Sequence, residues 1–508
     1  MATSSDFSKI YKIHKYWARK PWRPINKLIT TNSKERDIVV DLFVGSGVTA
    51  LESISQNRNF IGYDLNPIAI FITENTITCD FNEDEFIDEL GLIKGELEPL
   101  FNQLYAVVDK CVYCGKNLVI DHINIGPKFK GKESGVFYCY NCGKTKIKRE
   151  LTNQEKDQLN IVYEIDKWVP ENNFPLKFYK DRFSYKGVRK ITDIFTNKNL
   201  YALSELLHCI KSNNLKYEKL FLLAFSNTLL HTSKLKSENV RPLGVNNYWI
   251  PDDYFEENVW MRYLDRVNLV IKSKKLLKSK IKKKIGDYKF FNQSSFNTGL
   301  EDESVDYIIT DPPYGEAIQY SELSLVWNSW LGLNYDNREE VIINPVQDKG
   351  KKEFIKLLEM SLKEGRRILK NGKKFTICFH NKEFDIWQDV LSVFKRNGFK
   401  LININIESTV SNSYNINWSE FSPKSDLYLT FERGEYFGHT YNKQYSLESL
   451  LEDIINKSNI DDCPKIYDML VSKLLIELYY NEYKINLDGL SIKKLNKIMG
   501  EIKSGNQC

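Results

Sequence analysis

The chain is 508 residues long and 42% apolar, enough for about two to four domains with sizeable cores, and its net charge of +5 is too small to mark a polyanion binder by charge alone. No apolar run approaches the roughly 20 residues of a membrane-spanning helix. The opening MATSSDFSKIYKIHKYWARK has no apolar stretch of signal-peptide type, so an intracellular, cytoplasmic setting without a membrane partner is expected.

The first clear element is DIVVDLFVGSG (37–47), an apolar, β-branched run that ends in a glycine-rich turn and predicts a buried strand entering a loop. VTALESISQN then predicts a short helix, and RNFIGYDLNP a second strand ending at Asp64, Asn66 and Pro67. Together they make a βαβ unit. Gly45 and Gly47 let a ligand approach the backbone closely, and Asp64, 17 residues after Gly47, stands where a carboxylate can accept from ribose hydroxyls. The pair suggests an adenosine-bearing cofactor. A dinucleotide would call for a third glycine where GSGVTA has Ala50, a spelling that does not exclude it.

From about residue 80 the pattern changes to an acidic segment and a cysteine module. A long region with helical patches (YALSELLHCI, EKLFLLAFSNTLLH) follows, and no sheet pattern is sustained there. Four of the nine cysteines form two CxxCG turns, Cys111 with Cys114 and Cys139 with Cys142, separated by 24 residues. Two such turns can place four thiolates tetrahedrally, and zinc is the economical occupant. A reducing compartment disfavours disulfides, and the duplication disfavours a redox pair. With all four ligand places filled by protein, the role expected is structural. Farther on, IKSKKLLKSKIKKK (271–284) packs eight lysines into fourteen residues, either a solvated helix face or a surface for phosphates.

Strand-like runs return at YKFF (288–291) and VDYIIT (305–310), so the middle of the chain reads as an insertion. VDYIIT stops abruptly in the rigid turn DPPY, Asp311 to Tyr314. After it, FIKLLEMSLKEGRRILK shows helical spacing, then an Asn371-Gly372 stop and the strand KFTICFH. One more helix, marked by Trp387, Val390, Leu391 and Phe394, precedes the strands FKLININI and DLYLTFER. Counting both halves gives about seven strands in a doubly wound α/β sheet. Tyr320, Trp327 and Trp330 follow the turn at a spacing that favours core over base or DNA contact. The tail has helical patches (SLESLLEDIIN, YDMLVSKLLIELYYNEY) and no motif.

A glycine loop and DPPY in these strand contexts resemble the amino-group DNA methyltransferases of the N6-adenine/N4-cytosine type, and among them the adenine-specific methylases that contain a zinc ribbon. IHKYWARKPWRPINKLI (13–29) resembles the segment along the methionine end of the cofactor, DLFVGSGVTALES the cofactor loop, DLNP the ribose-binding acid, and the cysteine module the ribbon. The resemblance implies a seven-stranded, Rossmann-like S-adenosylmethionine-dependent fold with a large insertion that carries the ribbon and helices.

The expected organisation is a cofactor half over 1–80, the ribbon over 81–150, a mainly helical target-recognition insertion over 151–285, a catalytic half over 286–434 and a helical extension over 435–508. Cofactor contacts are implied for Lys20, Pro21, Asp41, Phe43, Gly45, Ser46, Gly47, Thr49, Asp64 and Asn66, with Arg19 and Lys20 facing either the cofactor carboxylate or a phosphate. Where many relatives have an acid on the third strand, this chain has NQSSF (292–296).

The implied activity is methylation of the exocyclic N6 amine of a flipped adenine in double-stranded DNA, with S-adenosyl-L-methionine as donor, Zn(2+) as a structural ion and a restriction or defence system as a partner. Asp311 and the Pro312 carbonyl would accept the amine's N–H groups, Pro312 and Pro313 would fix the turn, and Tyr314 would offer a stacking face to the base. Cytosine-N4 enzymes more often have serine at the position of Asp311. Guanine-N2 RNA methylases share DPPYG but usually begin with an RNA-binding domain, and a non-catalytic DNA-binding module would not need the intact motifs.

Overall fold

Seven apolar runs pair into one sheet: β1 (Ile38–Asp41), β2 (Asn59–Asp64), β3 (Tyr288–Asn292), β4 (Val305–Thr310), β5 (Leu369–Phe379), β6 (Phe399–Ser408) and β7 (Ser425–Arg433). The computed structural model describes residues 6–130, 132–180, 188–238, 240–242, 248–281, 285–381, 383–408, 425–435, 466–480 and 497. They fall into two units, one made of Met1–Trp17, Asn66–Lys282 and Gln319–Asp336, the other of Ala18–Leu65, Lys283–Ile318 and Asn337–Cys508. The seven-stranded sheet belongs wholly to the second.

Strand order is β6-β7-β5-β4-β1-β2-β3. β1, β2, β3, β4 and β5 pair in parallel, whereas β7 runs antiparallel to both β5 and β6. The chain therefore winds outward from β1 through β3 and resumes at β4 on the other side of β1. In doubly wound sheets such a reversal opens a crevice at the carboxyl ends of the two central strands. This is the fold that the alternating pattern predicts.

Every residue of β4 is buried, which is why VDYIIT reads as an unbroken apolar run. Helices Lys351–Ile368 and Phe384–Arg396 lay Phe354, Leu358, Trp387 and Phe394 on the same core, and Phe394 stacks on Phe431 of β7 at 3.9 Å. The tail joins this core too, since Leu474, Leu475 and Tyr479 of helix Ile466–Tyr480 are buried in it. The other tail patch, SLESLLEDIIN, lies outside the described residues.

One boundary differs from expectation. Asn371-Gly372 does not separate helix from strand but sits inside β5, where the register jumps between Leu369, opposite Val305, and Lys374, opposite Tyr307. The extra residues are absorbed as a bulge, with Gly372 at a φ of 70°.

The first unit corrects a larger expectation, because it contains a five-stranded antiparallel sheet. Ala106–Lys110, Asn117–Ile125, Ser134–Tyr138 and Lys146–Glu150 pair in sequence, and Tyr254–Glu257 adds to Asn117–Ile125 from more than a hundred residues away. Helices Glu83–Tyr105, Asn197–Ser212, Glu218–Leu229 and Val259–Lys280 supply its aromatic packing, with Phe86 on Phe221 at 4.4 Å and Phe101 on Trp260 at 4.8 Å. The lysine run is not one uniform face. Lys274 is buried and donates to the carbonyls of Asn75, Thr76 and Thr78 at 2.5, 3.3 and 2.8 Å, closing the end of helix Pro67–Ile77, while Lys272, Lys275 and Lys278 are exposed; residues 282–284 lie outside the described set. Among the described residues no helix is long and apolar enough to cross a membrane.

Candidate active site and metal centre

The glycine turn leaves the carboxyl end of β1. Gly45 and Gly47 have φ of 52° and 79°, the left-handed region that a Cβ disfavours by about 1–2 kcal/mol. The turn is held from several sides: the Val44 amide donates to the Tyr63 carbonyl at 2.9 Å, the Gly45 amide to Asp64 Oδ2 at 2.9 Å, and Arg19 Nε to Ser46 Oγ at 3.1 Å. Phe43, Gly45 and Asp64 are partly exposed, while Ser46, Gly47 and Thr49 are buried. A Cβ-free loop beside a carboxylate on the neighbouring strand end fits an adenosine-bearing ligand. Gly47→Val is expected to lower the melting temperature through the forced φ alone; an unchanged melting curve would contradict the strain argument.

Asp41 lies beneath this loop, 1% exposed. Its Oδ1 accepts from the Phe43 amide at 3.0 Å and from Thr310 Oγ1 at 2.6 Å, and its Oδ2 accepts from Thr49 Oγ1 at 2.6 Å. Burial raises its carboxyl, and the Thr310, Thr49 and Phe43 hydrogen bonds oppose the rise. Thr310 is the last residue of β4, so Asp41 pins the glycine turn to the residue that precedes Asp311.

Asp311 meets a second carboxylate and a cation that are distant in sequence. Lys20 Nζ lies 2.8 Å from Asp426 Oδ1, at the start of β7, and 3.9 Å from Asp311 Oδ1. The Lys20 ammonium also sits 4.8 Å from the centroid of the Tyr314 ring. The Tyr314 hydroxyl donates to Asp311 Oδ1 and lies 3.6 Å from Cys378 Sγ on β5. The Tyr314 hydroxyl is thus turned onto the acid, and the Lys20 ammonium lies over the Tyr314 ring. Asn381 Nδ2 donates to the Tyr314 carbonyl at 3.0 Å and fixes the turn from β5's end. Of the two prolines, Pro312 is buried and Pro313 partly so; Pro21 is partly exposed, next to Lys20.

The electrostatics are tightly balanced. Burial pushes the Asp311 carboxyl up to about 7, against the Lys20 ammonium and the Tyr314 hydroxyl, with Asp426 and Asp41 adding to the rise. For Lys20 burial acts downward, yet Asp311, Cys378 and Asp426 together carry the net shift upward, so the amine stays charged. Burial, then Asp311, holds the Tyr314 phenol well above its ordinary value. It remains a donor.

Asn66 is 2% exposed, precedes helix Pro67–Ile77 in the first unit, and is bonded there to Ser324 at 3.1 Å and Asn328 at 3.2 Å. Trp327 and Trp330 are 1% and 0% exposed, as core residues should be, and Tyr320 stacks on Tyr16 at 5.8 Å. Asn292, at the end of β3, donates to the carbonyls of Asp64 and Leu65 at 3.0 and 2.9 Å, so the strand without an acid braces the Asp64 corner.

The four cysteines converge as their spacing implies. All four Sγ atoms lie within 4.8 Å of one another, and Cys111–Cys142, Cys114–Cys139 and Cys139–Cys142 are each 3.5 Å apart. A tetrahedron of sulfurs about 2.3 Å from a zinc ion has edges of about 3.8 Å, so the cluster is close to the size needed. The two turns are built alike: the Gly115 and Gly143 amides donate to the Cys111 and Cys139 carbonyls at 2.9 Å, with φ of 67° and 68°.

Residues 3–75 match the family described as DNA methylase, the N6/N4 methyltransferases. The type II methyltransferase M.HpaI of Haemophilus parainfluenzae is 30% identical over 159 residues, which cover 30% of this chain and 46% of that protein. M.HindIII of Haemophilus influenzae is 37% identical over 73 residues, 13% of this chain and 24% of that one. The chain thus spans less than half the length of either relative. A solved SAM-dependent methyltransferase from Methanosarcina mazei aligns with 80% of this chain and 96% of its own at 8% identity, with a TM-score of 0.26.

Proposed function

We propose that the chain, whose residues 3–75 match the N6/N4 DNA methylase family, transfers a methyl group from S-adenosylmethionine to the exocyclic N6 amine of an adenine flipped out of double-stranded DNA. The observation that carries this reading is the buried Asp41 bridge, which joins the glycine turn on β1 to the strand end that presents Asp311. Ligand loop and acid are parts of one rigid corner. The donor would be held by the turn at Phe43, Gly45, Ser46 and Gly47 and by Asp64, and when bound it supplies an electrophilic methyl group.

An exocyclic amine is a weak nucleophile because its lone pair is delocalised into the ring. Asp311, by accepting an N–H bond, favours the geometry in which that pair is directed out of conjugation, and it stabilises the positive charge that develops on nitrogen. The Pro312 carbonyl is the second acceptor. In this account the substrate amine takes the place of the Tyr314 hydroxyl on Asp311, and the released phenol ring then becomes available to the base. Lys20, anchored by Asp426, opposes the rise that burial imposes on the Asp311 carboxyl. Aspartate rather than serine at position 311 favours adenine over cytosine, the cysteine cluster fits a structural zinc ion, and a restriction partner follows only from the type II names of the relatives.

A pH dependence follows. Asp311 can offset the charge that develops on the amine only when ionised, and with its carboxyl near 7 the rate of transfer by the free enzyme is expected to fall as pH drops through about 7. Lys20→Met removes the nearest cation, so the midpoint of that limb should move upward; a limb that stays in place would contradict the role given to Lys20. The same carboxyl holds its proton in the folded chain well above the range where an unfolded aspartate has lost it, so its contribution to stability declines as pH rises through that window. Asp311→Asn should flatten this slope.

A further inference from the structure

The first unit contains a cavity of about 800 Å3 that the methyl-transfer site does not use. That volume is in the range of small-molecule sites. Its wall carries six cations, Lys15, Lys146, Lys236, Arg241, Arg262 and Arg266. Among the described residues three carboxylates line it with them, and two of these are already engaged: Asp121 with Arg262 at 2.5 Å, and Glu257 with Arg262 at 2.5 Å and with Lys236. Glu238 is the third.

Arg266 is the informative member. Its Nε is buried without a hydrogen-bond partner, and among the described residues its guanidinium makes no hydrogen bond or ion pair. A guanidinium in that condition costs stability unless something outside the protein completes it. The surroundings agree: burial, and then Arg266, Lys236, Lys15 and Arg262, push the imidazole of His231 down to about 3, and burial brings Lys15 down to about 8. His231 is a neutral wall in a cationic chamber.

The cavity also has an aromatic side: Phe255, packed against His122 with ring centroids 4.4 Å apart, lines it. An aromatic ring and an unpaired guanidinium in the lining of one cavity suit a phosphate attached to an aromatic base, because the fork recognises phosphate oxygens and the ring accepts the base.

We propose that this cavity is a nucleotide-phosphate site, with Arg266 as the phosphate ligand and Phe255 as the base-facing wall, taking either a free nucleotide or a nucleotide unit of a strand. The inference does not depend on methyl transfer and needs no methyl donor.

The test uses the full-length chain and two probes, AMP and a 30-base-pair duplex, titrated into wild type, Arg266→Met and Arg266→Lys by calorimetry. At least one probe should bind wild type with a Kd below about 1 mM, the bound on a usable site at about −4 kcal/mol. Arg266→Met should weaken that probe by tenfold or more, and Arg266→Lys, which keeps the charge but loses the fork, should restore part of the loss. Loss confined to AMP identifies a free nucleotide; loss confined to the duplex, with a salt slope reduced by about one, identifies strand phosphates. Should Arg266→Met fail to show a cooperative thermal transition, Arg241→Gln, at the exposed rim, is read in its place, with at least threefold weakening expected. No binding of either probe to wild type below 1 mM, or weakening below these thresholds, overturns the proposal. Asp311→Asn should bind both probes as wild type does, so failure here and failure of the methyl-transfer reading are separable.

Discussion

Asp311→Asn is expected to lower methyl transfer to DNA by about 10²–10³-fold, the usual effect of removing one preorganised electrostatic contact, while S-adenosylmethionine binding stays within about threefold. The side chain keeps its shape. What changes is that one acceptor oxygen becomes an amide donor, which repels an incoming N–H and cannot offset positive charge on the nitrogen. Lys20 keeps Asp426 at 2.8 Å, so the variant should not leave an unpaired buried ammonium and should fold. The glycine turn is untouched, because the Asp41 bridge runs through Thr310 and not through Asp311. A variant with transfer within tenfold of wild type would remove Asp311 from the chemistry.

Replacing Cys139 and Cys142 together with serine is expected to take bound zinc from one ion per chain to none, measured by elemental analysis, and to expose the insertion's sheet to limited proteolysis. Cys139 is fully buried, and the strands that flank its turn, Ser134–Tyr138 and Lys146–Glu150, pair antiparallel across that turn. In small domains such an ion contributes on the order of 10–16 kcal/mol of apparent folding free energy, more than the total stability of most domains. Loss of even part of it should melt this sheet first. The second unit, with its own seven-stranded core, should keep its thermal transition. Zinc-free wild-type protein with an unchanged cleavage pattern would show that the cysteines do not hold the sheet.

The central sheet could be read from sequence because its parallel strands are buried on both faces and appear as unbroken apolar runs, each ending where chemistry begins: VVD before the glycines, VDYIIT before DPPY. The insertion's sheet could not be read so easily. NLVIDHINI (117–125) carries strand residues, but its partners include a segment near residue 254, and a pairing that long is invisible to local periodicity. The candidate site divides in the same way. Gly45, Gly47, Asp64 and Asp311 stand in motifs, whereas Asp426 has no motif around it and reaches Lys20 only because β7 runs antiparallel beside β5. Lys20 drew notice as a partner for an anion, and the anions it meets are the protein's own carboxylates. The packing of Tyr314 was beyond sequence reasoning because it brings together Lys20 and Cys378, which are more than 350 residues apart in the chain.

The most direct test of the central claim is to incubate the full-length chain with S-adenosylmethionine and unmethylated bacterial DNA, digest the DNA, and quantify methylated nucleosides by mass spectrometry. The account predicts N6-methyldeoxyadenosine with wild type and its near-complete loss with Asp311→Asn. N4-methyldeoxycytidine in its place would contradict the assignment of the base, and no methylated nucleoside from a chain that demonstrably binds the donor would contradict the assignment of the enzyme.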